Sequence, residues 1–352
     1  MGRGSRERIL AMALGGALIS SAAPRADAAW RLASSLGAQA EAAYPAKRVV
    51  TDDVGRQVEL PARINRIVTL APNLTETVYA LGLEDRLAGD TDFCDTPAAA
   101  KSKPHVGNPQ NPSLEAIVAL HPDLVLATTS INRVDTADAL KRLGIAVYTT
   151  NGNTQTVLSM LDSIARMAEL IGAEPQGDEL VGRLRQRLDA LHARLEDRPL
   201  VHVLFVVWEQ PLITIGQNTF IADALRWAGA ESVVLSKRNW PQLSIEEVVR
   251  LQPDYLVFTS DHGAAGTAEL ADLRLRPVWR DLDAVETGHV VDVSEEAVRP
   301  SPGLVDAIEQ LAHELHPELF SANGEMDDAK LEIGAAWESG ERMTAGCRSC
   351  VR

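Results

Sequence analysis

The chain has 352 residues, of which 45% are hydrophobic and 24% charged, and its formal net charge at pH 7 is -15. This mixture is typical of a globular protein with one large or two medium domains, and the acidic balance argues against nucleic acid or an anionic membrane surface as a partner. Three cysteines are too few for a disulfide framework. The sequence carries no phosphate-binding glycine loop, serine-nucleophile elbow or zinc-protease motif, so no common enzyme class is indicated.

The first residues have the pattern of a secretory signal rather than of a folded domain. Three arginines among the first eight residues precede an apolar run over 9–23, and an A-x-A cleavage pattern ends at Ala28. This order is typical of a signal peptide, and the run is shorter than the roughly 20 residues that span a bilayer. We predict a signal peptide over 1–28 and export to the periplasm; the alternative is a buried N-terminal helix.

From residue 48 the sequence alternates short β-rich runs with helical stretches. Such alternation is typical of a parallel sheet with helices on its faces, and it predicts an N-terminal α/β lobe over 48–152. The predicted strands are 67–70, 87–91, 124–128 and 146–150, and the predicted helices lie near 74–82, 113–120 and 134–143.

In residues 155–197 this alternation stops, and apolar residues recur at helical spacing. Gly172 and Pro175 interrupt the pattern, which indicates a first helix of about 18 residues, a kink and a second long helix. We predict that 153–197 forms linking helices between two lobes.

After Pro199 the alternation of strands and helices returns. The predicted fold class is therefore α/β, with two similar α/β lobes joined by a long rigid helix, the second lobe covering 198–320. The segment 321–352 has many charges and few β-branched residues, which predicts a weakly ordered tail. The predicted elements of the second lobe are strands over 201–207, 212–215, 255–260 and 290–293 and helices over 219–228, 244–251 and 303–315.

An internal repeat supports the similarity of the two lobes. The segment Ser113–Thr128 aligns without gaps to Ser244–Thr259, and seven of the sixteen positions are identical. Each copy begins with a serine at a helix N-cap position, continues through a short helix to Pro-Asp, and ends in an apolar strand. The repeat predicts one fold for both lobes.

Glu115 and Glu246 occupy the same place in the two copies, in the first helical turn. One interpretation is complementation of the helix dipole, worth about 0.3–1 kcal/mol each. The other is a pair of matching acidic groups on one surface, suited to a symmetric basic partner.

Several segments together resemble the class III periplasmic substrate-binding proteins, which serve ABC importers of cobalamin, ferric siderophores and haem. The resemblance covers about residues 48–320 and is most similar to the cobalamin-binding branch, through Asp92–Pro97 and the Trp-Pro-Gln that begins at Trp240. The segments that carry it are Thr51–Val58, Arg66–Glu76, Ala80–Leu83, Ser113–Thr128, Trp208–Gly216 and Trp240–Glu246.

This resemblance implies a rigid two-lobed clamp that is not an enzyme and that holds its ligand between the lobes. A surface glutamate on each lobe of the family pairs with arginines of the permease dimer, and these glutamates correspond to Glu115 and Glu246. The implied cargo is a corrinoid, carried as a transported ligand and not as a resident cofactor. Because the long helix resists bending, only a small lobe motion is expected on binding.

Six residues are candidates for contact with the ligand, since ligands of open α/β sheets bind beyond the carboxyl ends of the strands. A corrin ring is a broad apolar disc edged with amides, which aromatic faces can cover and polar groups can address at the rim. Glu295 and Arg299 either meet the rim amides or pair with each other, and Asn108 offers an amide where the cobalamin branch often has aromatic residues. The six are Phe93, Asn108, Trp208, Trp240, Glu295 and Arg299.

Two alternatives remain open at this point. A ferric siderophore or haem carrier of the same class would need a cationic cleft or a Tyr or His ligand; Arg133, Tyr148 and His262 are isolated examples of such groups. The second alternative is an exported enzyme or metal-binding protein built on Cys94, His105 and Asp95. We predict no metal site.

Overall fold

The structure, a computed structural model, describes residues 47–153, 155–259 and 270–320. The predicted signal peptide over 1–28, the tail over 321–352 and His262 lie outside these described residues. The fold is α/β with two lobes, as the alternation of strands and helices predicts.

The N-terminal lobe is built on a parallel four-stranded sheet in the order β4-β3-β7-β8. The central strands are fully buried and apolar, as expected for a sheet covered by helices on both faces. Two short antiparallel hairpins, β1–β2 and β5–β6, flank this sheet, and neither was predicted from the sequence. The elements are β1 (Arg48–Thr51), β2 (Gln57–Leu60), β3 (Ile67–Thr69), α1 (Pro72–Ala80), β4 (Leu87–Gly89), β5 (Gly107–Asn108), β6 (Asn111–Pro112), α2 (Leu114–Ala119), β7 (Leu124–Thr128), α3 (Val134–Arg142) and β8 (Val147–Thr150).

The linking segment contains the two predicted helices, α4 (Val157–Leu170) and α5 (Glu174–Leu195), which form a helical hairpin rather than meeting at a kink. The first helix has 14 residues, not about 18, because Gly172 adopts a left-handed backbone with φ of +69°. The amide of Ala173 bonds the Ala168 carbonyl at 2.8 Å and closes the helix end. The two helices then pack so closely that a Cβ on Gly177 would lie 2.4 Å from that of Ala168.

This hairpin is attached to both lobes. At the start of α4, the amide of Val157 donates to Asp223 of the C-terminal lobe at 2.8 Å. Just beyond its end, the carbonyl of Ile171 accepts from the Arg86 guanidinium of the N-terminal lobe at 2.9 Å. The helix α4 therefore crosses from one lobe to the other, and α5 returns beside it.

The C-terminal lobe has a mixed five-stranded sheet with β10-β9-β12-β13 as its main path, and β11 also pairs with β9. Strand β10 is antiparallel to β9, so this sheet departs from the wholly parallel arrangement of the first lobe. The elements are β9 (Val201–Glu209), β10 (Leu212–Thr214), α6 (Phe220–Trp227), β11 (Ala230–Ser232), α7 (Ile245–Leu251), β12 (Tyr255–Thr259), α8 (Leu270–Leu275), α9 (Asp283–Thr287), β13 (Val290–Val293), α10 (Leu304–Leu315) and α11 (Pro317–Phe320).

One hydrophobic core extends through both lobes and the hairpin. It joins Ile67 and Leu126 of the first sheet to Ile164 and Leu188 of the hairpin and to Phe205 of the second sheet. All five side chains are buried. Because these groups share one core, the relative position of the lobes depends on apolar packing as well as on the chain connections.

Candidate functional site

Phe93 lies in the loop that follows β4, and its ring is 55% exposed. The next residue, Cys94, is buried, and its Sγ lies 3.1 Å from the hydroxyl of Thr75 and 3.2 Å from that of Thr91. These contacts hold the loop against α1 and leave the Phe93 ring accessible to a ligand.

The structure does not bring Cys94, His105 and Asp95 together as a reactive centre. His105 Nδ1 pairs with Asp90 at 2.7 Å, whereas Asp95 lies near Arg299. Burial raises the pKa of the Cys94 thiol, which disfavours the nucleophilic thiolate. Within the described ranges, no cluster of three or more His, Cys, Asp or Glu side chains could hold a metal ion.

Asn108 is exposed in the β5–β6 hairpin, where its Oδ1 accepts a hydrogen bond from the Gln110 amide at 2.8 Å. The hairpin is held in place by Asn132, which the sequence reasoning missed. The Asn132 amide donates to the carbonyls of Leu70 at 2.7 Å and Pro109 at 2.9 Å. An asparagine four residues beyond the end of a predicted strand is the available sequence signal, because such residues often bond to nearby backbone.

Trp208 and Trp240 lie at one edge of the second sheet, on segments separated only by β10. Trp208 pairs with Ile213, and Ile213 bridges to Gln242 two residues after Trp240. The rings are 39% and 51% exposed, respectively. Large aromatic side chains that stay exposed on neighbouring segments are typical of a binding surface.

A glycine fixes the Trp240 segment against β10. The amide of Gly216 donates to the Asn239 carbonyl at 2.9 Å. A Cβ at this glycine would lie 1.8 Å from the Arg238 carbonyl oxygen, so the close approach of the two backbones requires glycine.

Glu295 and Arg299 pair with each other, the second of the two arrangements considered from the sequence. Arg299 also crosses to the N-terminal lobe, where its Nη1 lies 3.1 Å from Glu76 Oε1 and 3.7 Å from Asp95 Oδ1. The guanidinium is only 17% exposed, and its nearest partners are carboxylates. Glu76 was not predicted from the sequence, because a lone glutamate inside a helix gives no signal of a partner in another lobe.

The carboxyl group of Glu76 is almost completely buried. Burial raises its pKa to about 7, while Ser301 and Arg299 act in the opposite direction and favour the charged form. The Ser301 hydroxyl lies close enough to Glu76 to lower its pKa, but neither this hydroxyl nor Glu76 Oε2 forms a well-oriented hydrogen bond with a described residue. Ser301 was not identified from the sequence either.

Glu115 and Glu246 are both exposed in the first turns of α2 and α7. Glu115 Oε2 accepts from the hydroxyl of the N-cap Ser113 at 3.2 Å. In the second lobe the capping role falls to Glu247, which accepts from the Ser244 amide at 2.9 Å and leaves Glu246 outside the capping box. Neither Glu115 nor Glu246 forms an ion pair with a described residue, so both carboxylates are available to a partner.

None of the helices in the described part of the chain combines the length and apolar character needed to cross a membrane.

Comparisons with known proteins agree with this architecture. The family model described as "Periplasmic binding protein" matches residues 67–297. A vitamin B12-binding protein of Vibrio parahaemolyticus is 30% identical over 248 residues, covering 70% of this chain and 87% of that protein. An uncharacterised ABC transporter substrate-binding lipoprotein of Bacillus subtilis, YvrC, is 32% identical over 281 residues, covering 77% of this chain and 87% of the lipoprotein.

Two solved structures have closely similar folds. The periplasmic vitamin B12-binding protein BtuF of Vibrio cholerae aligns with a TM-score of 0.63 and 28% identity, over 72% of this chain and 97% of that one. The periplasmic haem-binding protein BhuT, in complex with two haems, aligns with a TM-score of 0.66 and 26% identity, over 72% and 99%. Proteins that bind two different macrocycles therefore share this scaffold.

Proposed function

Because this chain belongs to the periplasmic binding protein family, as a class III substrate-binding protein of an ABC importer, we propose that it captures a corrinoid in the cleft between its lobes and delivers it to the importer. Proteins of this family are non-enzymatic components of transport. An N-terminal signal that directs the chain to the periplasm is part of this proposal.

The exposed aromatic rings are the observation that carries the choice of ligand. Phe93 comes from one lobe, in the loop after β4, and the two tryptophans come from the other, Trp208 near the end of β9 and Trp240 before α7; all three side chains are exposed. Aromatic faces favour a broad apolar ring over a small hydrophilic anion. In the same cleft Asn108 is proposed to meet a rim amide of the ligand.

In this proposal Glu295 and Arg299 contact the ligand while they are paired with each other. Since Arg299 is shared by Glu76, Asp95 and Glu295, it is a poor candidate to neutralise an anionic ligand. Arg299 is the single basic residue among the six candidate contacts, which disfavours a ferric siderophore, whose charge would need several basic groups.

Haem is the second candidate, favoured by the similarity to BhuT and by one feature of the N-terminal lobe. Asp90 holds Nδ1 of His105 at 2.7 Å, and the imidazole is partly exposed. A carboxylate on one ring nitrogen is the usual way to orient a histidine that ligates metal through the other nitrogen. The haem carried would then be cargo, with His105 as the candidate ligand to its iron.

A titration of the purified protein with cyanocobalamin, followed by tryptophan fluorescence, tests the main proposal. We expect saturable quenching, with Kd raised about tenfold in Trp208→Ala and in Trp240→Ala, the equivalent of about 1.4 kcal/mol. Trp227→Phe is the control, because Trp227 packs against the shared core and contacts His192. Absence of quenching would reject the corrinoid; a Soret shift with hemin that His105→Ala removes would then support haem.

Delivery to the importer is proposed to depend on Glu115 and Glu246, which would pair with basic residues of the two permease subunits. Charge reversal by Glu115→Lys or Glu246→Lys is expected to abolish cyanocobalamin uptake in cells that depend on this protein, with Kd unchanged. Glu179→Lys is the matched control, since Glu179 is an exposed carboxylate on the linking hairpin. Uptake that persists after both reversals would leave the two carboxylates only a helix-stabilising role.

A further inference from the structure

The contact between Glu76 and the 295–301 segment joins the two lobes directly. Glu76 lies on α1 of the N-terminal lobe, and Arg299 and Ser301 follow β13 of the C-terminal lobe. This contact is separate from the helical hairpin and from the exposed tryptophans. We call Glu76, Arg299 and Ser301 the lobe junction.

Among the described residues, the surroundings of the lobe junction contain more acid than base. Arg299 is shared by Glu76, Glu295 and Asp95, and Glu296 also lies close enough to raise the pKa of Glu76. Glu76 therefore shares Arg299 with other carboxylates, and a shared guanidinium neutralises a buried carboxylate incompletely. The simplest way to reduce the excess negative charge is to protonate the most buried carboxyl, which is Glu76.

Geometry also favours a proton on Glu76. Its Oε1 accepts from Arg299, whereas Oε2 is buried with no hydrogen-bond partner among the described residues. The neighbouring Ser301 hydroxyl is also buried and also lacks a well-oriented hydrogen bond among the described residues. A buried carboxylate oxygen without a donor is costly, and protonation turns that oxygen into a neutral hydroxyl that can itself donate.

Separation of the lobes would remove Arg299 and Ser301 from Glu76 and admit water to its carboxyl group. In water the pKa of a glutamic acid returns toward its ordinary value of about 4.3. Since the carboxyl binds its proton more tightly when the junction is closed, proton binding must favour the closed junction. Protonated Glu76 stabilises the closed junction below its raised pKa of about 7. This stabilisation is lost as the pH rises through that value.

We propose that the lobe junction is a proton-linked latch, closed when Glu76 carries a proton and loosened when Glu76 ionises. Glu76, Arg299 and Ser301 are positioning residues in this mechanism: they set how far apart the Phe93 loop and the tryptophans lie. The latch does not depend on which ligand the cleft accepts.

Distances between spin labels, measured by pulsed electron paramagnetic resonance without ligand, test the latch. Labels at Lys141→Cys and Arg250→Cys sit on exposed helical positions of the two lobes, in a background carrying Cys347→Ser and Cys350→Ser. We expect a narrow distance distribution at pH 5.5 and a broader or longer one at pH 8.5, with a midpoint near 7. In Glu76→Gln, which mimics the protonated form, the narrow distribution should persist at both pH values.

Asp90→Asn is the matched control. Asp90 is also fully buried, and burial raises its pKa to about 6, but its partner His105 belongs to the same lobe. This variant should keep the pH dependence of the wild-type protein. The proposal is overturned if the wild-type distances do not change with pH, if Glu76→Gln keeps the change, or if Asp90→Asn abolishes it.

Ser301→Ala keeps the test decisive if Glu76→Gln does not fold. The Ser301 hydroxyl favours the ionised form of Glu76, so its removal should move the midpoint of the distance change to higher pH. A midpoint that stays in place or falls would contradict the latch. Because no corrinoid enters these measurements, their failure is distinguishable from failure of the proposed ligand.

Discussion

The two lobes repeat one scaffold but expose different aromatic side chains. In each lobe a serine caps a short helix, a residue with left-handed backbone ends it, and Pro-Asp leads into the central strand of the sheet. The first lobe presents Phe93 beside an all-parallel sheet, whereas the second adds antiparallel β10 and presents Trp208 and Trp240. The same scaffold therefore supports different exposed aromatic side chains in its two copies.

The repeated scaffold has a physical reason at the Pro-Asp step. Asp123 accepts the amides of Asn65 and Arg66 at 2.8 and 2.9 Å, just before β3 begins. Its counterpart Asp254 accepts the His202 amide at 2.9 Å, near the start of β9. In both lobes, therefore, the aspartate before the central strand holds the beginning of the adjacent strand and so sets its register.

The largest effect should come from truncating a central strand in either lobe. Leu126→Ala in β7 and Leu256→Ala in β12 each remove a fully buried side chain, and each should lower the free energy of unfolding by about 2–5 kcal/mol. Leu126 lies in the core shared by both lobes and the hairpin, whereas Leu256 lies in a second cluster within the C-terminal lobe. Because Phe205 and Val257 connect the second sheet to the shared core, chemical denaturation should still show a single transition for both variants. A second transition confined to Leu256→Ala would mean that the lobes unfold independently.

Losses of intermediate size are expected when the equivalent aspartates Asp123 and Asp254 are replaced, and they compare the strand anchors of the two lobes. Asp123→Ala removes two bonds from backbone amides to a charged acceptor, and Asp254→Ala removes one backbone bond together with a 3.2 Å contact to the His202 ring. We expect a loss of about 2–3 kcal/mol for the first and about 1–2 kcal/mol for the second, since bonds to charged groups contribute about 1.5–3 kcal/mol. Urea unfolding measures both. Equal losses would show that the two aspartates support their strands to the same extent.

The smallest effects are expected at the helix caps. Ser113→Ala and Ser244→Ala each remove the hydroxyl that accepts a backbone amide in the first turn, so each should cost about 1 kcal/mol in unfolding free energy. Glu247 also caps the second helix, and Glu247→Gln, which keeps a side-chain acceptor, serves as its control. The cap predictions are contradicted if thermal unfolding of either serine variant matches that of the unchanged protein.

Local sequence patterns were sufficient for much of the scaffold. The strand Leu124–Thr128 is observed at its predicted limits, as is Val290–Val293, because buried apolar runs bounded by turn residues have few alternatives. The α4–α5 hairpin was predicted as a kinked pair, since periodicity shows that two helices exist but not the direction in which the second one leaves. The left-handed backbone of Gly172 sets that direction.

Periodicity and spacing along the chain were enough to predict the α/β class, the repeat, and the equivalent positions of Glu115 and Glu246. The contact of Arg299 with Glu76 of the other lobe, 223 positions away, is seen only in the folded structure. The same is true of the bonds by which Asn132 anchors the Asn108 hairpin. Such contacts depend on how separate elements pack against one another. No local pattern records the partner of a side chain when that partner belongs to a distant segment.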